Sequence, residues 1–276
     1  MSEKYCKSND VKRKYEEEFI KNEILREKQD NANNCEKGEE NPDNNESKDD
    51  AGNQQNQVPV NTLIKELGIL NAGNDFKTEL HYISIIGSVE GHMTMPQDTK
   101  TTKYEHIIPQ LIAVEENPEI KGLLIVLNTV GGDVEAGLAL AEMISTLSKP
   151  TVSLVLGGGH SIGIPLAVAA KYTFIAKTAT MTLHPIRTSG QVITAKPTFH
   201  YLMKTQDRIV DFIVEHSEAN KDKVLELVNR TDDIANDVGT VLFGQEAVDI
   251  GIINQVGGLR DALEKLREMI RASSNS

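Results

Sequence analysis

From Tyr82 onward the chain alternates short apolar runs with longer amphipathic stretches, and this rhythm restricts the fold more than any other feature. Tyr82 to Ile86, Gly122 to Leu127, Val152 to Leu156 and Tyr172 to Ile175 are of strand length. They are rich in Val, Ile and Leu, as strands buried on both faces are. Between them, Tyr104 to Val114, Val134 to Leu147 and Ile162 to Ala170 carry helical spacing. Strands that alternate with helices of this length imply βαβ units and a mostly parallel sheet, an α/β fold. Two more helices are expected at Phe199 to Glu215 and Lys221 to Val228. The stripe Phe199, Leu202, Met203, Ile209, Val210 and Ile213 in the first of them reads as a core or subunit contact. Glu246 to Ile253 reads as a short helix turning at Gly251 into a strand, and Leu259 to Ile270 as a closing helix.

The first 58 residues are different. Residues 31–57 are mostly Asn, Asp, Glu, Gln, Lys and Ser, with almost nothing to bury. Such a segment cannot offset the entropy of ordering, so residues 1–58 are expected to be a disordered acidic tail and 59–276 one folded domain. Asp10 to Asp30 could form a charged helix, but its apolar face is too thin to hold it alone. With 15 acidic and 10 basic residues in 1–57, the tail supplies −5 of the net charge of −12. No basic patch stands out, which argues against a nucleic-acid partner. Both cysteines, Cys6 and Cys35, lie in the tail without metal-ligand spacing, which fits a reducing compartment. The N-terminus lacks the apolar segment of a signal peptide, and every apolar run is too short to span a membrane, so a cytoplasmic product is expected.

Chemistry enters at Gly159-His160-Ser161-Ile162-Gly163, directly after the Val152 to Leu156 strand. A serine hydroxyl is a weak nucleophile until a base takes its proton and donors hold the oxyanion. Glycines on both sides permit the sharp strand-to-helix turn that lifts such a serine out of its sheet. His184 follows Thr180-Met181-Thr182-Leu183, which alternates as a strand, and precedes Pro185. A neutral imidazole at a strand end is a fitting base. His160 competes for that role, but neighbours in extended chain point to opposite sides, so Ser161 and His160 are expected to diverge. Gly131-Gly132 joins a strand to the helix at Asp133, where backbone N–H groups could hold an oxyanion, as could that of Ile162. Asp232, Asp233 and Asp237 are all candidates for the acid that orients a histidine. No P-loop, H-E-x-x-H or Cys/His cluster is present, and neither cofactor nor metal is expected.

Together these residues resemble the ClpP family, the proteolytic subunits of Clp proteases. The likeness runs from about His81 through Ile85-Ile86-Gly87-Ser88-Val89-Glu90, Glu116-Asn117-Pro118 and Asn128-Thr129-Val130-Gly131-Gly132-Asp133. The serine turn, Leu183-His184-Pro185 and Glu246-Ala247-Val248-Asp249-Ile250-Gly251 complete it. Gly157-Gly158-Gly159-His160-Ser161 and Asn236-Asp237-Val238-Gly239-Thr240 are closest to the ClpP-like translocation-enhancing subgroup. ClpP itself carries a small residue before its serine.

The resemblance implies a crotonase-like spiral of ββα units with a handle strand and helix, assembled into homo-oligomeric rings. It implies Ser161 as nucleophile, His184 as base, Asp237 as triad acid, and Gly132 with Ile162 as oxyanion donors. The handle segment Arg187 to Val214 would offer Gly190, Gln191 and Val192 to extended polypeptide substrate by β-addition. The long tail stands where ClpP has a short pore segment, which puts docking of a Clp-type ATPase in doubt. The leading expectation is a serine endopeptidase acting on unfolded polypeptides in a chamber. A second is a ring-forming protein that assists preprotein export by binding, and a third an acyl-CoA enzyme of the crotonase type. A lipase-like α/β-hydrolase would need its histidine late in the chain.

Overall fold

A computed structural model describes residues 79–96, 98–188, 194–233 and 238–274. The expected tail, the charged helix at Asp10 to Asp30, Asp237 and the substrate strand at Gly190, Gln191 and Val192 lie outside the described residues. The chain divides into two compact units, Pro59–Thr188 with Lys204–Ser276 and Met1–Val58 with Ser189–Met203. The described part of the second unit is a short stretch, 194–203, mostly the first turns of one helix.

The larger unit is built on a mixed sheet. Its parallel path runs β2 (Thr101–Lys103), β1 (Leu80–Glu90), β3 (Gly122–Gly132), β4 (Thr151–Gly159), β5 (Tyr172–Ile175) and β8 (Gln255–Val256). Off this path, β6 (Thr180–Leu183) joins β4 at the pair Gly158↔Thr180, and β7 (Thr240–Phe243) pairs antiparallel with β6. The helices are α1 (Tyr104–Glu116), α2 (Val134–Thr146), α3 (Gly163–Val168), α4 (Ala195–Glu215), α5 (Lys221–Val228), α6 (Gly244–Asp249) and α7 (Leu259–Ser273).

Apolar runs become central strands because both sheet faces are covered. On one face Ile83, Ile85, Leu123, Ile125 and Leu127 are buried with Leu111 and Val114 of α1 and Leu140 and Ile144 of α2. On the other, Leu124, Val152, Leu154 and Phe174 are buried with Ala262 and Leu266 of α7. From Lys204 on, α4 adds Val210, Phe212 and Ile213 to the first of these cores.

Three departures from the expected elements stand out. Central strands run longer than their apolar cores, because β1 and β3 carry their pairing through to Val89↔Gly132, past the last buried Leu and Ile residues. The short strands β2 and β7 have no apolar run of useful length and were not expected. The turn at Gly251 does not lead straight into a strand. The N–H groups of Ile252 and Ile253 both donate to the Ala247 carbonyl, at 3.0 and 3.2 Å, so the chain curls before β8 begins at Gln255.

Candidate active site

At the end of β4 the chain must leave the sheet and enter α3 within four residues. It does so through Ser161, which has φ +56° and is the sole non-glycine residue at positive φ among the described residues. A left-handed backbone is costly for a residue with a Cβ, and such strain concentrates where a side chain must be presented. The turn is pinned by Gly163 N–H to the His160 carbonyl at 2.9 Å and Ile164 N–H to the Ser161 carbonyl at 3.0 Å. The Ser161 N–H donates to the Thr182 carbonyl of β6 at 2.9 Å.

The Gly131-Gly132 pair ends β3 beside that turn, with φ +95° and +151°. A Cβ on Gly131 would lie 2.7 Å from the Ser161 Cβ, and one on Gly132 would lie 2.2 Å from the Val89 carbonyl oxygen. Only glycines let the β3 backbone pass so close to both. Thr129 holds the approach, its hydroxyl donating to the Gly87 carbonyl at 2.6 Å and accepting from Gly131 N–H at 3.0 Å. Asp133 then caps α2 by accepting from Ala136 N–H at 2.8 Å.

His184 stands one residue beyond β6, half-buried. Its Nδ1 lies 2.7 Å from the Pro185 carbonyl oxygen. A carbonyl only accepts, so Nδ1 carries the proton and Nε2 the lone pair, the tautomer that a general base needs. Gly239 packs against this histidine from the strand partner side. A Cβ there would come within 2.2 Å of the Leu183 carbonyl oxygen and 2.9 Å of the His184 Cβ.

Ser161, His184, Gly132 and Ile162 line one cavity of about 130 Å³. Its remaining walls are mainly apolar, with Val134, Ile164, Leu183, Ile209, Val210, Ile213 and Val228. Part of the α4 stripe read as core or subunit contact therefore faces this cavity. Gln206 and Arg187 are the polar side chains of the wall. The Gln206 Oε1 accepts the Ile186 N–H at 2.7 Å, fixing the segment after His184 to α4. Gln206 escaped sequence reasoning, although a polar residue three and four positions from Ile209 and Val210 on an apolar stripe is the signal that could have found it.

His160 does not line the cavity, in keeping with the expected divergence from Ser161. Its Nδ1 lies 2.8 Å from the Thr182 hydroxyl. Burial, and secondarily the charge of nearby His184, hold its pKa below 6.5. Of the candidate acids, Asp232 is exposed and paired with the Arg230 guanidinium at 2.7 Å, which lowers its pKa. Asp233 accepts the Val241 N–H at 2.9 Å. Among the described residues no cluster of three or more His, Cys, Asp or Glu side chains could hold a metal ion, and no helix is long and apolar enough to cross a membrane.

The Clp protease family model matches residues 77–260. The chain is 55% identical over 207 residues to the translocation-enhancing protein TepA of Halalkalibacterium halodurans, spanning 75% of this chain and 81% of that protein. It is 26% identical to a putative protease of Methanocaldococcus jannaschii, with 67% of each chain covered. It is 28% identical over 143 residues to the ATP-dependent Clp protease proteolytic subunit 1 of Chlamydia pneumoniae, covering 49% of this chain and 70% of that subunit.

Proposed function

The chain belongs to the Clp protease family, and on that premise we propose that it is a serine endopeptidase cleaving unfolded polypeptides or peptides. The observation that supports this best is the shared cavity, which has Ser161 on a strained turn, His184 in the base-competent tautomer, and Gly132 with Ile162 on its wall.

In this reading the Ser161 Oγ attacks the scissile carbonyl carbon while its proton passes to His184 Nε2. The negative oxygen is held by the N–H groups of Gly132 and Ile162. His184 then gives its proton to the leaving amine, and water, deprotonated by the same histidine, hydrolyses the acyl-enzyme. Asp237 supplies the charge that stabilises the imidazolium. It lies two residues before Gly239, which packs on His184, whereas Asp232 and Asp233 already have partners. The family resemblance carries the rest of the proposal. It comprises a domain over 59–276 in a crotonase-like spiral, a handle that receives substrate at Gly190, Gln191 and Val192, and homo-oligomeric rings in the cytoplasm that enclose the sites.

A second reading is favoured by one comparison. The relative at 55% identity is named for enhancing translocation, so the assembly could act by binding alone. Intact mass after fluorophosphonate treatment separates the two. A single adduct on wild type, absent from Ser161→Ala and His184→Ala, is expected for the peptidase. A folded, assembled wild type that takes up no adduct would overturn it in favour of binding.

A further inference from the structure

The pair His160–Thr182 lies outside the cavity, yet it joins β3, the nucleophile turn and β6, which present Gly132, Ser161 and His184. The His160 N–H donates to the Thr129 carbonyl at 3.2 Å, tying the turn to the β3 segment that leads into Gly131-Gly132. The His160 carbonyl accepts Gly163 N–H at 2.9 Å, closing the turn over Ser161. Its imidazole reaches the Thr182 hydroxyl on β6, two residues before His184. Thr182 is thus bonded twice to the nucleophile turn, through its carbonyl to Ser161 N–H and through its side chain to His160. β6 is also bridged to β4 at the pair Gly158↔Thr180, so the backbone holds it at Thr180 and at Thr182. The side-chain bond adds a third attachment two residues before His184, which restricts how the end of β6 tilts against the turn.

We propose that His160 is a positioning residue, acting through Thr182 to set where His184 stands relative to Ser161. The inference rests on the peptidase reading of the same site. It explains a bulky, half-buried imidazole whose Nε2 would lie 2.5 Å from a Cβ at Gly158, so that a glycine is needed there to seat it. A misplacement of about 1 Å at a reacting pair can cost about a hundredfold in rate, so a bond that sets one angle has room to matter.

The test is the rate of fluorophosphonate acylation of the full chain, followed by intact mass, for wild type, His160→Ala, His160→Asn, Thr182→Val and His160→Ala/Thr182→Val. Thr182→Val deletes only the hydroxyl and keeps the backbone link, so it reports even if His160→Ala fails to fold. The expected result is at least a tenfold slower acylation for His160→Ala and Thr182→Val. The double variant should be no slower than the slower single one, because both remove one bond. Asn places a polar atom near the Nδ1 position and should recover the rate to within threefold, which general loosening of the turn would not allow. A labelled wild type with both single variants reacting at its rate, or with losses that simply multiply, overturns the positioning role alone. An unlabelled, folded wild type overturns the peptidase reading and this inference with it.

Discussion

The Ser161 N–H donates to the carbonyl of Thr182 at 2.9 Å, so the strand that carries His184 is hydrogen-bonded to the nucleophile's own backbone. Base and nucleophile come from turns 23 residues apart in sequence, and this bond makes their separation a local quantity. A shift in β6 is thereby passed to the backbone of Ser161, which couples the positions of the two residues more closely than two unlinked loops would.

The positive φ of Ser161 is strain that can be measured. Ser161→Gly should be more stable than Ser161→Ala by about 0.5–1 kcal/mol, the left-handed penalty of about 1–2 kcal/mol less glycine's larger unfolded-state entropy. Urea denaturation of the two variants measures the difference. An alanine variant as stable as the glycine variant would mean that the turn relaxes once the hydroxyl is gone.

On the peptidase reading, the cavity beside Ser161 and His184 predicts a cleavage preference. At about 130 Å³ it approaches the roughly 150 Å³ that accommodates a benzene-sized group, and its walls are mainly Val, Ile and Leu. Peptides with Leu or Met before the scissile bond should exceed those with Lys by at least tenfold in kcat/KM, since the ammonium would be desolvated beside Arg187. Gln206→Leu strands the Ile186 N–H, a loss of about 1–3 kcal/mol, and should raise KM for the preferred peptide more than it lowers kcat.

If Asp237 is the triad acid, as proposed, Asp237→Asn should slow acylation by on the order of 10³-fold or more, because removing the orienting charge leaves a developing imidazolium unsupported. Asp232→Asn and Asp233→Asn should stay within threefold of wild type, since one is an exposed ion pair and the other a backbone cap. Equal losses in all three would move the acid's role away from Asp237.

Stability should fall on mild acidification. Burial lowers the pKa of both His81 and His160 in the fold from the usual 6.5. Just below pH 6.5 the unfolded chain therefore binds more protons than the folded one, and stability rises with pH. The contribution is complete above about 6.5 and is lost as pH falls through 6.5 toward the lower folded values. Urea midpoints at pH 7.5 and 5.5 should show the drop, and His81→Asn should flatten it. A midpoint unchanged across this range would rule out the depressed histidines.

What the sequence by itself determined was set by local preference and patterning. Runs such as Gly122 to Leu127 become central strands because uniformly apolar segments need cover on both faces. Gly131-Gly132 marks a place where positive φ excludes most side chains, and Gly158 and Gly163 mark places where neighbouring atoms leave no room for a Cβ. Ser161 and His184 were legible as a pair because nucleophile chemistry demands a base, and both stand at ends of recognisable strands. The tertiary structure decided the rest. β7 is four residues with no distinctive pattern, and it forms only because β6 offers an edge. Gln206 faces the cavity because α4 passes over it, the His160 imidazole turns to Thr182, and Gly239 abuts His184. Each of these depends on which distant segments meet, and side-chain spacing along one element carries no record of that meeting.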